Sequence, residues 1–88
     1  MIVTPKLIND CIQRDEKACK ELFFGCYNRL MNISYRYQSN EIDAKDVVNA
    51  TFMKIITNLH KYKIGENFES WSSRICINTN IDLYRKRK

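Results

Sequence analysis

From Asp15 onward the apolar residues of this chain recur at threes and fours, and that spacing constrains its fold more than anything else in it. Leu22, Phe23, Cys26, Tyr27, Leu30, Ile33 and Tyr37 fall on one side of a helix. A second stripe runs through Ala44, Val47, Val48, Phe52, Ile55, Ile56 and Leu59, and a third through Trp71, Ile75, Ile77, Ile81 and Tyr84. No alternating run of useful strand length occurs. Only two Gly and one Pro interrupt the 88 residues, too few for a turn-rich β fold. The pattern predicts an all-α chain, a compact bundle of four helices in one domain spanning residues 1–88.

Boundaries follow from capping chemistry. Thr4 is expected to cap a first helix with Pro5 at its first position, where a missing N–H costs nothing. Leu7, Ile8, Cys11 and Ile12 give it one apolar side, and it should end near Arg14 and Asp15. Asp15 then caps a second helix, Glu16 to about Gln38, with Glu16 favoured in its first turn. Ser39 and Asn40 break the pattern. Asp43 is the expected cap of a third helix from about Ala44 to Leu59. A loop from Lys61 to Asn67 contains Gly65, which is free to take positive φ. Phe68 or Glu69 opens the fourth helix.

Charge is unevenly spread. Residues 60–88 hold seven Lys and Arg against three acids, a balance of +4, whereas residues 1–59 hold eight against seven, a balance of +1. The basic groups there alternate with Tyr62, Phe68, Trp71 and Tyr84. Cations that follow phosphates beside rings that stack on exposed bases suit single-stranded nucleic acid.

Several classes are disfavoured. The four cysteines (Cys11, Cys19, Cys26, Cys76) form no C-x-x-C pair, and one His completes no zinc-finger spacing. They lie inside periodic apolar segments and read as free thiols of a reducing cytoplasm. Asp43 and Asp46 share a helix face, but no further ligand accompanies them, so no metal or other cofactor is expected. No apolar run reaches a membrane span, and no secretory leader is visible. His60 has no evident acid and nucleophile beside it, and no phosphate-binding loop or H-E-x-x-H occurs, so no enzyme is expected.

Two spaced motifs, D-V-V-N-A-T-F-M-K (Asp46–Lys54) and F-E-S-W-S-S-R-I-C-I-N-T (Phe68–Thr79), resemble region two of bacterial RNA polymerase sigma factors of the small extracytoplasmic-function type. Asp46, Val47, Val48, Phe52, Lys54, Phe68, Trp71, Arg74, Ile75 and Asn78 match in order and spacing, as do Arg14, Asp15, Ala18, Leu22 and Phe23 upstream. Three positions depart: the family's usual Gln is Asn49, the acid often after it is Ala50, and the Leu usually after the Trp is Ser72, a change expected to loosen packing near the loop.

The resemblance implies two surfaces. On the third helix, Asp46, Asn49 and Met53 would dock on the clamp helices of the polymerase β′ subunit, with Phe52 behind them. On the loop and fourth helix, the minus-ten promoter element would be recognised and melted as single strand, on the non-template strand. Lys61, Tyr62, Lys63 and Asn67 would shape a pocket for a flipped base. Asn78 and Asp82, at i and i+4, would meet base edges, and Arg74 a phosphate. Arg85, Lys86, Arg87 and Lys88 would add phosphate contacts. Phe68, Trp71 and Ile75 read as core supports. The family also implies an anti-sigma partner, and a second domain after region two, so the chain is expected to be part of a longer protein.

Two other readings stand beside this one. A small helical DNA-binding regulator of another kind would need the tight turn of a helix-turn-helix, whereas most joints here are long. A protein-interaction bundle with a merely solvated basic end is the other.

Overall fold

The computed structural model describes residues 2–86. The expected contacts at Arg87 and Lys88 therefore lie outside the described residues. Four α-helices follow in order: α1 (Pro5–Ile12), α2 (Glu16–Ser34), α3 (Glu41–Asn58) and α4 (Phe68–Lys86), with a 3-10 turn, Leu59–Lys61, after α3. The only pairing of strand type among the described residues is one isolated bridge, Ile64 with Glu66, inside the loop before α4. Helices α2, α3 and α4 each pack on the other two, and α1 lies against α2 and the 3-10 turn. Leu22, Leu30, Val48, Ile55 and Leu59 are wholly buried between them. Each such side chain contributes about 1.5–3 kcal/mol relative to exposure.

Capping residues set the ends of the rods. Thr4 accepts the Leu7 N–H at 3.1 Å, with Pro5 in the first turn. Asp15 accepts the Ala18 N–H at 2.9 Å and starts α2. Between them α1 ends two residues earlier than expected. Arg14 takes φ 64, its N–H bonds Cys11 O and the Asp15 N–H bonds Asp10 O, the paired bonds of a Schellman ending.

The cap of α3 differs from expectation. Asn40, not Asp43, is the cap: its Oδ1 accepts the Asp43 N–H at 2.8 Å and its Nδ2 donates to Asp43 Oδ2 at 3.0 Å. Asp43 thus belongs to the first helical turn, as its reciprocal partner. That turn adds nothing to the apolar stripe, since Ile42 is 74% exposed, so periodicity placed the start too late. Helix α2 also closes early, at Ser34. Its last bonds tighten, with Arg36 N–H on Ile33 O and Tyr37 N–H on Ser34 O. This leaves Tyr37 exposed and swings Gln38 inward.

The fourth helix is turned differently from its expected stripe. Its buried residues are Phe68, Ser72, Cys76, Thr79 and Asn80, while Ile77 and Tyr84 are exposed. Polar side chains can face the core there because each finds a partner. Asn80 receives Gln38 Nε2 on its Oδ1 at 3.1 Å and donates to Ser34 Oγ at 3.2 Å and Cys76 O at 2.9 Å. Ser72 does not loosen the packing, as its departure from Leu suggested. It is wholly buried, donates to Phe68 O at 2.8 Å and accepts Arg29 Nη2 at 2.9 Å. Arg29 Nη1 reaches Ser73 Oγ at 2.6 Å and Glu69 O at 3.2 Å, tying α2 to the first turns of α4.

Candidate nucleic-acid interface

The loop before α4 is held by its own backbone. Gly65 takes φ +105, a conformation that side chains rarely adopt, and the Glu66 N–H closes a turn on Lys63 O at 3.0 Å. Tyr62 donates its hydroxyl to Glu66 O at 2.6 Å. Its half-buried ring lies 5.4 Å from Phe68 and 5.3 Å from Trp71, edge-on to one and tilted to the other. Asn67 accepts the Ser70 N–H on Oδ1 at 2.9 Å, in the manner of a helix cap.

Beside this loop is a cavity of about 250 Å³ lined by Val3, Tyr62, Glu66, Asn67, Phe68 and Glu69. Two of the expected pocket residues, Tyr62 and Asn67, line it. Lys61 and Lys63 are exposed on the loop but do not. The sequence reading missed Val3, Glu66 and Glu69. Phe68 is in the core, and Trp71, Ile75 and Phe52, all half-buried, pack against it.

Along α4, Arg74, Asn78 and Asp82 are exposed at four-residue intervals, one line on the helix. Thr79 and Asn80, immediately beyond Asn78, face the core. A second hollow, of about 460 Å³, opens between α3 and the end of α4. Ala50, Lys54, Thr79, Asp82, Leu83, Arg85 and Lys86 line it. Lys54, unassigned by the sequence reading, donates to Thr79 Oγ1 at 3.2 Å from α3. None of Lys61, Lys63, Arg74, Asp82, Arg85 or Lys86 is ion-paired with another described residue. The cationic end is thus open to an external anion.

On α3, Asp46, Asn49 and Met53 are exposed, Met53 by 61%. Ile42, one turn before Asp46, prolongs the line and was not anticipated. Among the described residues no three His, Cys, Asp or Glu side chains could jointly hold a metal ion, and no helix is long and apolar enough to cross a membrane. All four cysteines are free. Burial, helped by neighbouring Cys19, pushes the Cys11 thiol up to about 12. Burial also raises Cys26, partly opposed by Arg29.

Comparison with known proteins shows the family and the fold. Residues 22–88 match the family Sigma-70 region 2, and the chain belongs to that family. Among curated relatives, it is 33% identical over 60 residues to the ECF RNA polymerase sigma factor SigE of Mycolicibacterium smegmatis, covering 68% of this chain and 23% of that protein. It is 26% identical over 83 residues to the ECF RNA polymerase sigma factor SigW of Bacillus subtilis, covering 94% of this chain and 44% of SigW. The chain thus spans less than half the length of these relatives. Its fold is similar to an engineered region 2 of sigmaE, whose NMR structure is a complex with GTAAAA. The TM-score is 0.85 at 24% identity, over 98% of this chain and 90% of that one.

Proposed function

We propose that this chain is the region of an extracytoplasmic-function sigma factor that docks on RNA polymerase and opens the minus-ten promoter element. It acts in the cytoplasm as a specificity subunit and performs no chemistry of its own. The observation that carries this reading is the line of Arg74, Asn78 and Asp82, exposed on α4 and flanked by the loop cavity and the cationic hollow. The neighbour of similar fold was solved with GTAAAA, and the relatives are named as RNA polymerase sigma factors.

The mechanism is selective affinity for separated strands. Flipping a base costs a few kcal/mol, and base contacts together with neutralised phosphates must offset it. Asn78 can pair with a base edge, Asp82 can accept from an amino group, and Arg74, one turn before Asn78, can hold a phosphate. On the α3 face a carboxylate, an amide and a flexible thioether offer the β′ clamp helices a polar contact with an adaptable apolar end. An anti-sigma factor is the natural competitor for these surfaces.

The decisive measurement is capture of core RNA polymerase by the chain. Asp46→Arg should abolish capture while leaving the helical spectrum unchanged; normal capture by that variant would remove Asp46 from the interface. Asn78→Ala should weaken single-strand binding and relax preference at one base. Unaltered preference at every position would show that Asn78 reads nothing.

A further inference from the structure

Cys11 and Cys19 bring two thiols together where α1 meets α2, and neither of the proposed binding faces uses them. Cys11 is the last residue but one of α1, and Cys19 lies in the first turn of α2. A joint of three residues, 13–15, separates the two helices. The Cys19 Sγ is 3.9 Å from Cys11 O, and its thiol is also hydrogen-bonded to that of Cys11. The two differ in access. Cys11 is wholly buried, as are Cys26 and Cys76, whereas Cys19 is half-buried. Cys19 lines a surface hollow of about 400 Å³ beside Arg14, Lys20 and Phe24. A small solute thus reaches one thiol of the pair and not the other.

We infer that Cys19 is an oxidation site with Cys11 as its resolving thiol, so that hydrogen peroxide closes a disulfide between α1 and α2. In the first step the Cys19 sulfur attacks one peroxide oxygen and the O–O bond breaks. The thiol becomes a sulfenic acid and one water leaves. In the second step the Cys11 sulfur attacks the Cys19 sulfur and the S–O bond breaks. The hydroxyl leaves as water with the Cys11 proton. Two electrons pass from the thiol pair to each peroxide. Burial holds the proton on Cys11 to about 12, so oxidation starts at Cys19. The other two cysteines are buried and held elsewhere: Cys26 Sγ accepts from Arg29 Nη2 at 3.8 Å, and Cys76 Sγ donates to Leu30 O at 3.7 Å. A disulfide reopens with a dithiol, which separates this step from irreversible damage. The bond staples α1, the shortest of the α-helices, to the bundle.

Treatment of the folded chain with hydrogen peroxide, then alkylation of the remaining thiols and mass analysis of a tryptic digest, tests it. The product should be a monomer lighter by two hydrogens, and its digest should join residues 7–14 to residues 18–20. Dithiothreitol should restore all four free thiols. In Cys11→Ala, Cys19 should stop at the sulfenic acid and be captured by dimedone. In Cys19→Ser no thiol should be lost under the same exposure. Closing so short a loop restrains the unfolded chain, so the urea midpoint should rise on oxidation and return on reduction. A midpoint that falls would show that the bond forces the helices apart and would overturn the staple. A dimer joined through Cys19, a bond from Cys19 to Cys26 or Cys76, or Cys19 oxidised past the sulfenic acid with Cys11 still free would overturn the inference. Four thiols left intact would do the same.

Discussion

Thr51 is wholly buried in α3, and its hydroxyl finds no hydrogen-bond partner. A buried unpaired hydroxyl costs about 1–3 kcal/mol, and valine keeps its shape without the oxygen. Thr51→Val should therefore stabilise the chain by about 1 kcal/mol in urea unfolding; a loss of stability would show that the hydroxyl is satisfied. Cys11 gives a pH dependence of definite sign. Its folded thiol holds its proton to about 12, against 9.0 ordinarily, so the contribution is complete below pH 9 and declines as pH rises toward 12. The urea midpoint should drop over that range, and drop less in Cys11→Ala. Equal declines in the two proteins would remove Cys11 as the cause. Some of this scale was legible beforehand: Thr4 and Asp15 cap where an oxygen before an apolar run predicts. Asn40 was not, because the apolar stripe of α3 begins only at Ala44 and hid the polar first turn.

Helix α4 is where periodicity misled. Apolar spacing drew its inner face through Ile77 and Tyr84, yet the buried face is Ser72, Cys76, Thr79 and Asn80. Hydropathy reads these side chains as surface because it does not register that Arg29 and Ser34 of α2, and Gln38 just beyond its end, arrive to bond them. No local signal in α4 announces partners some forty residues away. In α2 and α3, whose inner faces are largely apolar, periodicity found the buried side but not the ends, since α2 closes at Ser34 and α3 opens at Glu41. Ser72 supplies the test at this level. Restoring the family's usual leucine, Ser72→Leu, should destabilise the chain by about 1–3 kcal/mol, since it strips Arg29 of an acceptor and crowds a filled site. Stabilisation by that change would mean that the guanidinium gains nothing from the contact.

Across the whole molecule, the two proposed faces sit on separate rods, α3 and α4, that pack directly on each other. The excess charge of residues 60–88 foretold which end is cationic, but not that Glu66 and Glu69 line the cavity there. Replacing Arg85 and Lys86 by alanine should weaken single-strand binding alike for every sequence. The salt slope should become shallower by about 0.7 for each cation lost. A loss confined to certain sequences would mean that these two residues read bases.

A further consequence follows from the polar cluster around Asn80. Successive residues of a helix point about 100° apart, so the bonds from Asn80 to Ser34 and Gln38 act as an index pin that sets the clocking of α4 about its axis. On the proposed reading, that setting, and not only the identity of the outward side chains, decides which edge Asn78 and Asp82 would offer to a strand. If the proposed face binds DNA, a lineage that alters Gln38 or Asn80 would shift its preferred sequence while every outward residue stays the same.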